Sequence, residues 1–241
     1  MTAQEPQKPL VLVTRPQPQN SETCADLQQR GFSVFAEPLL QIRAAPHEPL
    51  EESDTEALVF TSRNAVEKLR IGTEAALRLP VYAVGKRTAD ALKNRGFSDI
   101  RKTAETAAVL QKHLDTLKTI EKIRFLYISG RDRAHVFSAG GKILPVREVY
   151  KAVRTGNFTE NLRLALHNGR IGAILFYSAR TAENFIRLAK DCDLLGKCAS
   201  ITIICISTRT ADVAGHVRWR KTAVAEKPDH RHMMKALEEA F

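Results

Sequence analysis

The chain is 241 residues long, with 44% hydrophobic and 27% charged residues and a formal net charge of +10. This composition is typical of a globular chain with room for two domains, and no apolar run approaches the roughly 20 residues of a membrane-spanning helix. The first nine residues are polar and lack the apolar core of a secretory signal, so we expect a cytoplasmic protein.

Short apolar runs alternate with helical patterns along the chain. Strands are predicted at residues 9–14, 32–35, 57–61, 81–84, around 100, 123–128, 171–177, 201–206 and 222–225. Helices are predicted at 22–30, 63–70, 88–95, 105–117, 159–167, 179–190, 210–216 and 229–241. Two further segments, 37–43 and 143–153, have an extended pattern. Such alternation of strands and helices predicts an α/β fold with parallel sheets.

The two halves of the chain contain similar stretches in the same order. The stretch that ends in Phe60-Thr-Ser62 resembles the one that ends in Phe176-Tyr-Ser178, 116 residues later. Arg101-Lys-Thr-Ala104 recurs as Arg220-Lys-Thr-Ala223, 119 residues later. Similar stretches that keep their order at nearly constant spacing predict two similar domains.

Basic and hydroxyl side chains follow the carboxyl ends of six predicted strands, at the edge where open α/β sheets bind ligands. They are Arg15, Ser62, Arg63, Lys86, Arg87, Thr88, Ser129, Arg131, Ser178, Arg180, Thr208, Arg209 and Thr210. Capping of the following helix accounts for each hydroxyl taken singly. Six arginines at one edge, beside the free N–H groups of helix starts, nevertheless indicate a site for carboxylates or phosphates.

The distribution of charge also favours an anionic partner. Residues 121–241 carry 21 Lys and Arg against 12 Asp and Glu, whereas residues 1–120 carry 16 against 15. Aromatic residues make up only 6% of the chain, and no nucleic-acid-binding motif is present. A non-catalytic binder of polyanions or nucleic acids and a ligand sensor with tandem domains remain alternatives to an enzyme.

Several familiar kinds of site lack their sequence signatures. The cysteines, at 24, 192, 198 and 205, have no Cys-x-x-Cys spacing, so reduced thiols are expected. His230 and His232 are the closest pair of histidines, and we predict that they lie on the surface without a metal. No phosphate-binding loop, Gly-x-Gly-x-x-Gly or Gly-x-Ser-x-Gly motif occurs. The residues thus predict an anion site but identify no nucleophile or cofactor.

A set of short motifs, in order along nearly the whole chain, resembles the uroporphyrinogen-III synthase family. The motifs are Val13-Thr-Arg-Pro16, Phe60-Thr-Ser62, Val84-Gly-Lys-Arg-Thr-Ala89, Val149-Tyr150, Phe176-Tyr-Ser178 and Arg209-Thr-Ala211. Each is weak alone, and together they are specific. The chain departs from the family pattern at Ser207, where glycine is expected, and at Ala179-Arg180, which replaces Pro-Ser.

The resemblance implies two similar parallel-sheet α/β domains of flavodoxin-like type, joined by two extended crossing strands. The first domain is expected to be discontinuous, with residues 1–36 and 154–241, and the second to span residues 45–145. The connecting strands are expected at 37–44 and 146–153.

The resemblance also implies an activity, the closure of linear hydroxymethylbilane to uroporphyrinogen III with loss of water and inversion of the last pyrrole ring. The substrate carries eight carboxylates, which suits the arginine-rich strand ends. No cofactor, metal, membrane or nucleic acid is implied, and a monomer is expected. Tyr150 is implied as the acid that assists departure of the hydroxyl, although a packing role for its side chain remains the alternative. Thr88, Thr210, Ser62 and Ser178 match further family positions.

Overall fold

The structure, a computed structural model, describes residues 8–117, 123–133 and 135–241. The N-terminal stretch, which is predicted not to be a secretory signal, lies outside the described residues up to residue 7. The strands are β1 (Leu10–Val13), β2 (Ser33–Ala36), β3 (Leu40–Ala44), β4 (Ala57–Phe60), β5 (Val81–Val84), β6 (Ile100–Ala104), β7 (Phe125–Gly130), β8 (Ser138–Ala139), β9 (Lys142–Ile143), β10 (Val146–Arg154), β11 (Ile171–Phe176), β12 (Thr202–Cys205) and β13 (Lys221–Val224). The helices are α1 (Gln19–Gln29), α2 (Arg63–Lys68), α3 (Lys86–Asn94), α4 (Ala107–Asp115), α5 (Glu160–His167), α6 (Ala179–Asp191), α7 (Thr208–Ala214) and α8 (His230–Glu238).

The chain divides into two compact units, which are Met1–Gln41 with Val153–Phe241 and Ile42–Ala152. We call them the discontinuous unit and the continuous unit. The first has a five-stranded sheet in the order β13-β12-β11-β1-β2, and the second has a sheet in the order β3-β10-β7-β4-β5-β6. The pairs within β13-β12-β11-β1-β2 and within β10-β7-β4-β5-β6 are parallel, whereas the short strands β8 and β9 of the continuous unit pair antiparallel. The predicted α/β fold class with parallel sheets is therefore confirmed.

Apart from β3, the two sheets have the same strand order. In the discontinuous unit the order β2-β1-β11-β12-β13 corresponds to β10-β7-β4-β5-β6 in the continuous unit. Numbered along the chain, the discontinuous unit has the 2-1-3-4-5 order of flavodoxin-like sheets. The continuous unit has the same spatial arrangement with the numbering 5-4-1-2-3, because its β4, β5 and β6 precede β7 and β10 in the chain. The repeated stretches occupy equivalent strands, because Phe60 and Phe176 end β4 and β11, and Arg101 and Lys221 lie on β6 and β13.

Helices cover both faces of each sheet, as the nearly continuous apolar strands require. In the discontinuous unit Leu12 and Ile174 lie in one buried cluster, while their strand neighbours Val11 and Leu175 lie in another on the opposite face. In the continuous unit Leu58 and Val59 are divided between two clusters in the same way. Successive side chains of a strand point to opposite faces of the sheet, so consecutive apolar residues are buried in the two clusters in turn.

Among the predicted boundaries that differ from the structure, three concern candidate site residues. Helix α3 begins at Lys86 rather than at residue 88, and α7 begins at Thr208 rather than at residue 210. Gly85, with a φ of 83°, ends the preceding strand early enough for α3 to start, and the Ser207 hydroxyl caps α7 by accepting from the N–H of Thr210. Strand β7 continues to Gly130, so Ser129 lies in a buried strand and not in a loop.

Within the described parts of the chain, no helix is both long enough and apolar enough to cross a membrane. Among the same residues there is also no group of three or more His, Cys, Asp or Glu side chains arranged to hold a metal ion. The four cysteines are not joined by disulfides, and Cys24, Cys198 and Cys205 are buried.

Candidate functional site

In the continuous unit, a cavity of about 290 Å³ opens at the carboxyl ends of β4, β5 and β7. Its polar lining includes Thr61, Ser62, Tyr127, Ser129 and Tyr150, together with Asp132, Arg133 and His135. Three of the residues predicted from the sequence, Ser62, Ser129 and Tyr150, therefore share one cavity. Its position agrees with the rule that ligands bind outside the carboxyl ends of parallel strands.

Tyr150 is half-buried on β10, opposite Gly130 on β7. Its hydroxyl donates a hydrogen bond to Ser62 Oγ over 3.3 Å. The absence of a side chain at residue 130 makes room for the phenol, because a Cβ there would overlap the Tyr150 ring. Burial raises the pKa of Tyr150, and the nearby Tyr127 and Asp132 also raise it, while the hydrogen bond to Ser62 acts in the opposite direction. The raised pKa keeps the phenol protonated, and the hydrogen bond to Ser62 fixes the direction of its hydroxyl group.

Ser62 has two roles in this arrangement. Its side chain caps α2 by accepting from the N–H of Asn64 over 3.1 Å, and the same oxygen accepts from Tyr150. Ser178, at the equivalent place in the discontinuous unit, caps α6 by accepting from the N–H of Thr181 and also contacts the Thr181 hydroxyl at 2.7 Å. Capping therefore accounts for both serines, and at Ser62 it also fixes the acceptor for the phenol.

The other predicted residues of the continuous unit are spread along its strand ends. Lys86 and Arg87 are exposed in the first turn of α3, and Thr88 beside them is buried. Arg63, in the first turn of α2, pairs with Glu67 at 3.4 Å. Arg131 follows β7 and pairs with Glu148 at 3.4 Å, and its backbone N–H donates to the carbonyl of Tyr150. The backbone of Arg131 is thus hydrogen-bonded to that of Tyr150, and the Glu148 carboxylate partly balances the charge of the Arg131 side chain.

In the discontinuous unit, Arg15 follows β1 and contacts Tyr177, which follows β11. The guanidinium carbon of Arg15 lies 4.1 Å from the centre of the Tyr177 ring, and Arg15 Nη1 donates to Thr23 Oγ1 over 3.2 Å. Arg180 is half-buried in the first turn of α6, while Thr208 and Arg209 are exposed in the first turn of α7. Thr210 is buried, with its hydroxyl 3.1 Å from Ser207 Oγ.

Sequence reasoning missed a connected group of side chains behind Arg15. The Tyr177 hydroxyl lies 2.6 Å from His230 Nδ1, and His230 Nε2 lies 3.0 Å from Asp26 Oδ2. The sequence predicts that His230 lies on the surface without a metal, and its side chain is partly exposed; the prediction misses that it links α8 to α1 and to the end of β11. Burial raises the pKa of Tyr177 to about 12, despite the opposing effect of Arg15.

Comparison with known proteins identifies the family of this arrangement. A model of the family described as Uroporphyrinogen-III synthase HemD matches residues 21–235. A protein of Chlorobaculum parvum (strain DSM 263 / NCIMB 8327) named uroporphyrinogen-III synthase is 26% identical over 247 residues, which is 96% of this chain and 98% of that protein.

The fold is shared with a solved structure. The uroporphyrinogen-III synthetase of Helicobacter pylori 26695 superposes with a TM-score of 0.60 at 17% identity, over 97% of this chain and 100% of that one. A mutant uroporphyrinogen III synthase of Thermus thermophilus gives a TM-score of 0.47 at 16% identity, over 96% of this chain and 98% of that one.

Proposed function

The chain belongs to the uroporphyrinogen-III synthase HemD family, and we propose that it closes linear hydroxymethylbilane to uroporphyrinogen III, as a lyase that releases water and inverts the last pyrrole ring. The family makes it an enzyme of tetrapyrrole and haem biosynthesis with a small-molecule substrate. The observation that carries the proposed chemistry is the Tyr150 hydroxyl, which is directed by Ser62 at the wall of the cavity in the continuous unit.

Tyr150 is proposed as the acid in the step that removes the hydroxyl group of the substrate. When the carbon–oxygen bond breaks, the departing oxygen accepts the phenol proton and leaves as water. A phenol with an ordinary pKa near 10 is a weak acid, and burial raises the pKa of Tyr150 further. Its contribution is therefore a hydrogen bond that strengthens as negative charge develops on the leaving oxygen.

The remaining acceleration is proposed to come from positioning. The enzyme is proposed to hold the two ends of the linear tetrapyrrole next to each other, so that they need not find each other by chance. Positioning of this kind can lower the activation free energy by several kcal/mol. The proposed carboxylate-binding residues are Arg15, Arg63, Lys86, Arg87, Arg131, Arg180 and Arg209, with hydrogen bonds from Ser62, Thr88, Ser129, Ser178, Thr208 and Thr210. Their place at strand ends and in first helical turns supports this role.

We also propose that the enzyme works as a monomer with the expected domain limits, residues 1–36 with 154–241 and residues 45–145. The division of the chain near residues 41 and 153 supports these limits.

A direct test is to supply freshly made hydroxymethylbilane and to separate the type III from the type I isomer of the product. The proposal requires the type III isomer to form at a rate that grows with enzyme concentration, while buffer alone gives the type I isomer. Salt-sensitive binding of polyanions without any type III product would instead indicate the non-catalytic alternative.

A further inference from the structure

Four side chains of the discontinuous unit form a continuous chain of contacts that ends at Arg15. Asp26 on α1 contacts His230 on α8, His230 contacts the hydroxyl of Tyr177, and the ring of Tyr177 lies against the Arg15 guanidinium. Resting on the function proposed above, we infer that Tyr177, held by His230 and Asp26, is a positioning residue that presents Arg15 to a carboxylate of the substrate.

The direction of the hydrogen bonds follows from the state of Asp26. Burial alone would raise the pKa of Asp26, but hydrogen bonds from Arg30 and His230 outweigh it and hold that pKa below its usual value. The ionised carboxylate can only accept, so His230 Nε2–H donates the hydrogen bond to Asp26 Oδ2. With the ring hydrogen on Nε2, Nδ1 is an acceptor, and the Tyr177 hydroxyl donates to it over 2.6 Å. This bond fixes the rotation of the phenol and hence the plane of its ring.

The fixed ring in turn holds Arg15. The Tyr177 and His230 rings are nearly parallel, with 24° between their planes, and the guanidinium lies 4.1 Å from the centre of the Tyr177 ring. Thr23 also holds Arg15, because its hydroxyl donates to the Gln19 carbonyl over 2.8 Å and accepts from Arg15 Nη1 over 3.2 Å. An aromatic ring contacts the face of a guanidinium, whereas carboxylates bind to the N–H groups along its edge.

Such an arrangement lowers the cost of binding rather than the barrier of the reaction. A free arginine side chain loses much rotamer freedom when it binds a carboxylate, and holding it in one geometry beforehand reduces that loss. Arg15 follows β1 and Tyr177 follows β11, and these two strands are adjacent in the sheet. The held guanidinium is therefore at the carboxyl edge, where an anionic ligand of this fold is expected.

A double-mutant cycle on KM tests the inference. We expect Arg15→Ala to raise KM about tenfold or more, from the loss of a charge-assisted hydrogen bond, and Tyr177→Leu to raise it about fivefold. Because Tyr177 acts through Arg15, the double variant should have the KM of Arg15→Ala alone. The kcat should change by less than about twofold in all three, since the contact binds substrate and transition state equally.

Two further variants complete the experiment. His230→Ala should raise KM about threefold in the native background and leave it unchanged in the Arg15→Ala background, which keeps the test available if Tyr177→Leu does not fold. Arg30→Ala is the matched control, because Arg30 contacts the same Asp26 carboxylate at 3.0 Å without contacting Tyr177, and its KM should equal that of the native enzyme.

The outcomes separate the two proposals. If the native enzyme forms no type III product, the proposed function fails. If the native enzyme is active but KM is unaffected by Tyr177→Leu and His230→Ala, or if their effects simply multiply with that of Arg15→Ala, the positioning role of Tyr177 is overturned.

Discussion

Tyr150 and Tyr82 are two largely buried phenols of the continuous unit with different surroundings. Burial raises the pKa of both, but Tyr150 lines the cavity and donates to Ser62, whereas Tyr82 packs against Phe125 and His113. Tyr150→Phe should therefore lower kcat at least about tenfold with KM unchanged, while Tyr82→Phe leaves both constants as they are. Full activity in Tyr150→Phe would return Tyr150 to a packing role.

Gly130 provides a second test of the same site through shape instead of chemistry. Its added Cβ would overlap the Tyr150 ring, so Gly130→Ala should displace the phenol from Ser62. We expect a loss of kcat at least as large as that of Tyr150→Phe and a fall in the free energy of unfolding of about 1–3 kcal/mol. Gly156→Ala is the control, because nothing lies within 4 Å of its Cβ position. If the Gly130→Ala enzyme kept the native kcat and Tm, the Tyr150 ring would not lie as close to residue 130 as the structure has it.

The sequence identified part of this site for reasons that can be stated at single residues. Arg15 and Ser62 stand directly after apolar strands, and that position is visible without a structure. The link from Tyr177 to His230 and Asp26 joins residues 53 and 204 positions apart in the chain. No spacing rule connects such residues, because only the packing of α8 and α1 brings them together.

At the scale of single elements, repeated stretches predicted strands and helices better than they predicted where helices begin. The apolar cores of β4, β11 and β12 were evident, since parallel strands covered on both faces are apolar at every position. The start of a helix depends on its cap, and the helix predicted from residue 210 in fact begins at Thr208. The hydrogen bond from the N–H of Thr210 to the Ser207 hydroxyl selects Ser207.

The attachment of α8 to α1 should depend on pH through Asp26. Its pKa is lowered in the folded protein, so its stabilising contribution is present above the unfolded pKa of about 3.9 and is lost as pH falls through the lower folded value. Asp26→Asn should reduce the free energy of unfolding by about 1 kcal/mol at pH 7.

Denaturant unfolding across pH checks this expectation. The difference between the native protein and Asp26→Asn should shrink below about pH 4, as both side chains become neutral. Asp191→Asn is the control, because its exposed pair with Arg187 within α6 is worth less than about 0.5 kcal/mol. If the difference in the free energy of unfolding between the native protein and Asp26→Asn stays constant from pH 7 to pH 3, the charge of Asp26 does not cause the stabilisation.

At the scale of the whole molecule, the basic surplus seen in the second half of the sequence does not belong to one unit. The discontinuous unit has 17 Lys and Arg against 13 Asp and Glu, a net of +4, and the continuous unit has 20 against 14, a net of +6. The chain leaves one sheet and returns to it, so a boundary drawn at the middle of the sequence mixes the two units. Both units are therefore basic, and the surplus of positive charge is shared between them.

The same connectivity predicts which fragments fold. Residues 42–152 contain β4, β5, β6 and β7 whole, β10 except for its last two residues, and both buried clusters of this sheet, so this fragment should fold alone. Residues 1–117 include one whole copy of the repeated stretches, yet β1 loses its partner β11 and β4 loses its partner β7. Circular dichroism and urea unfolding should show a cooperative transition for 42–152 and none for 1–117. The opposite result, cooperative unfolding of fragment 1–117 and non-cooperative unfolding of fragment 42–152, would contradict this prediction. It would mean that the folding domains follow the repeated stretches of the sequence and not the two units.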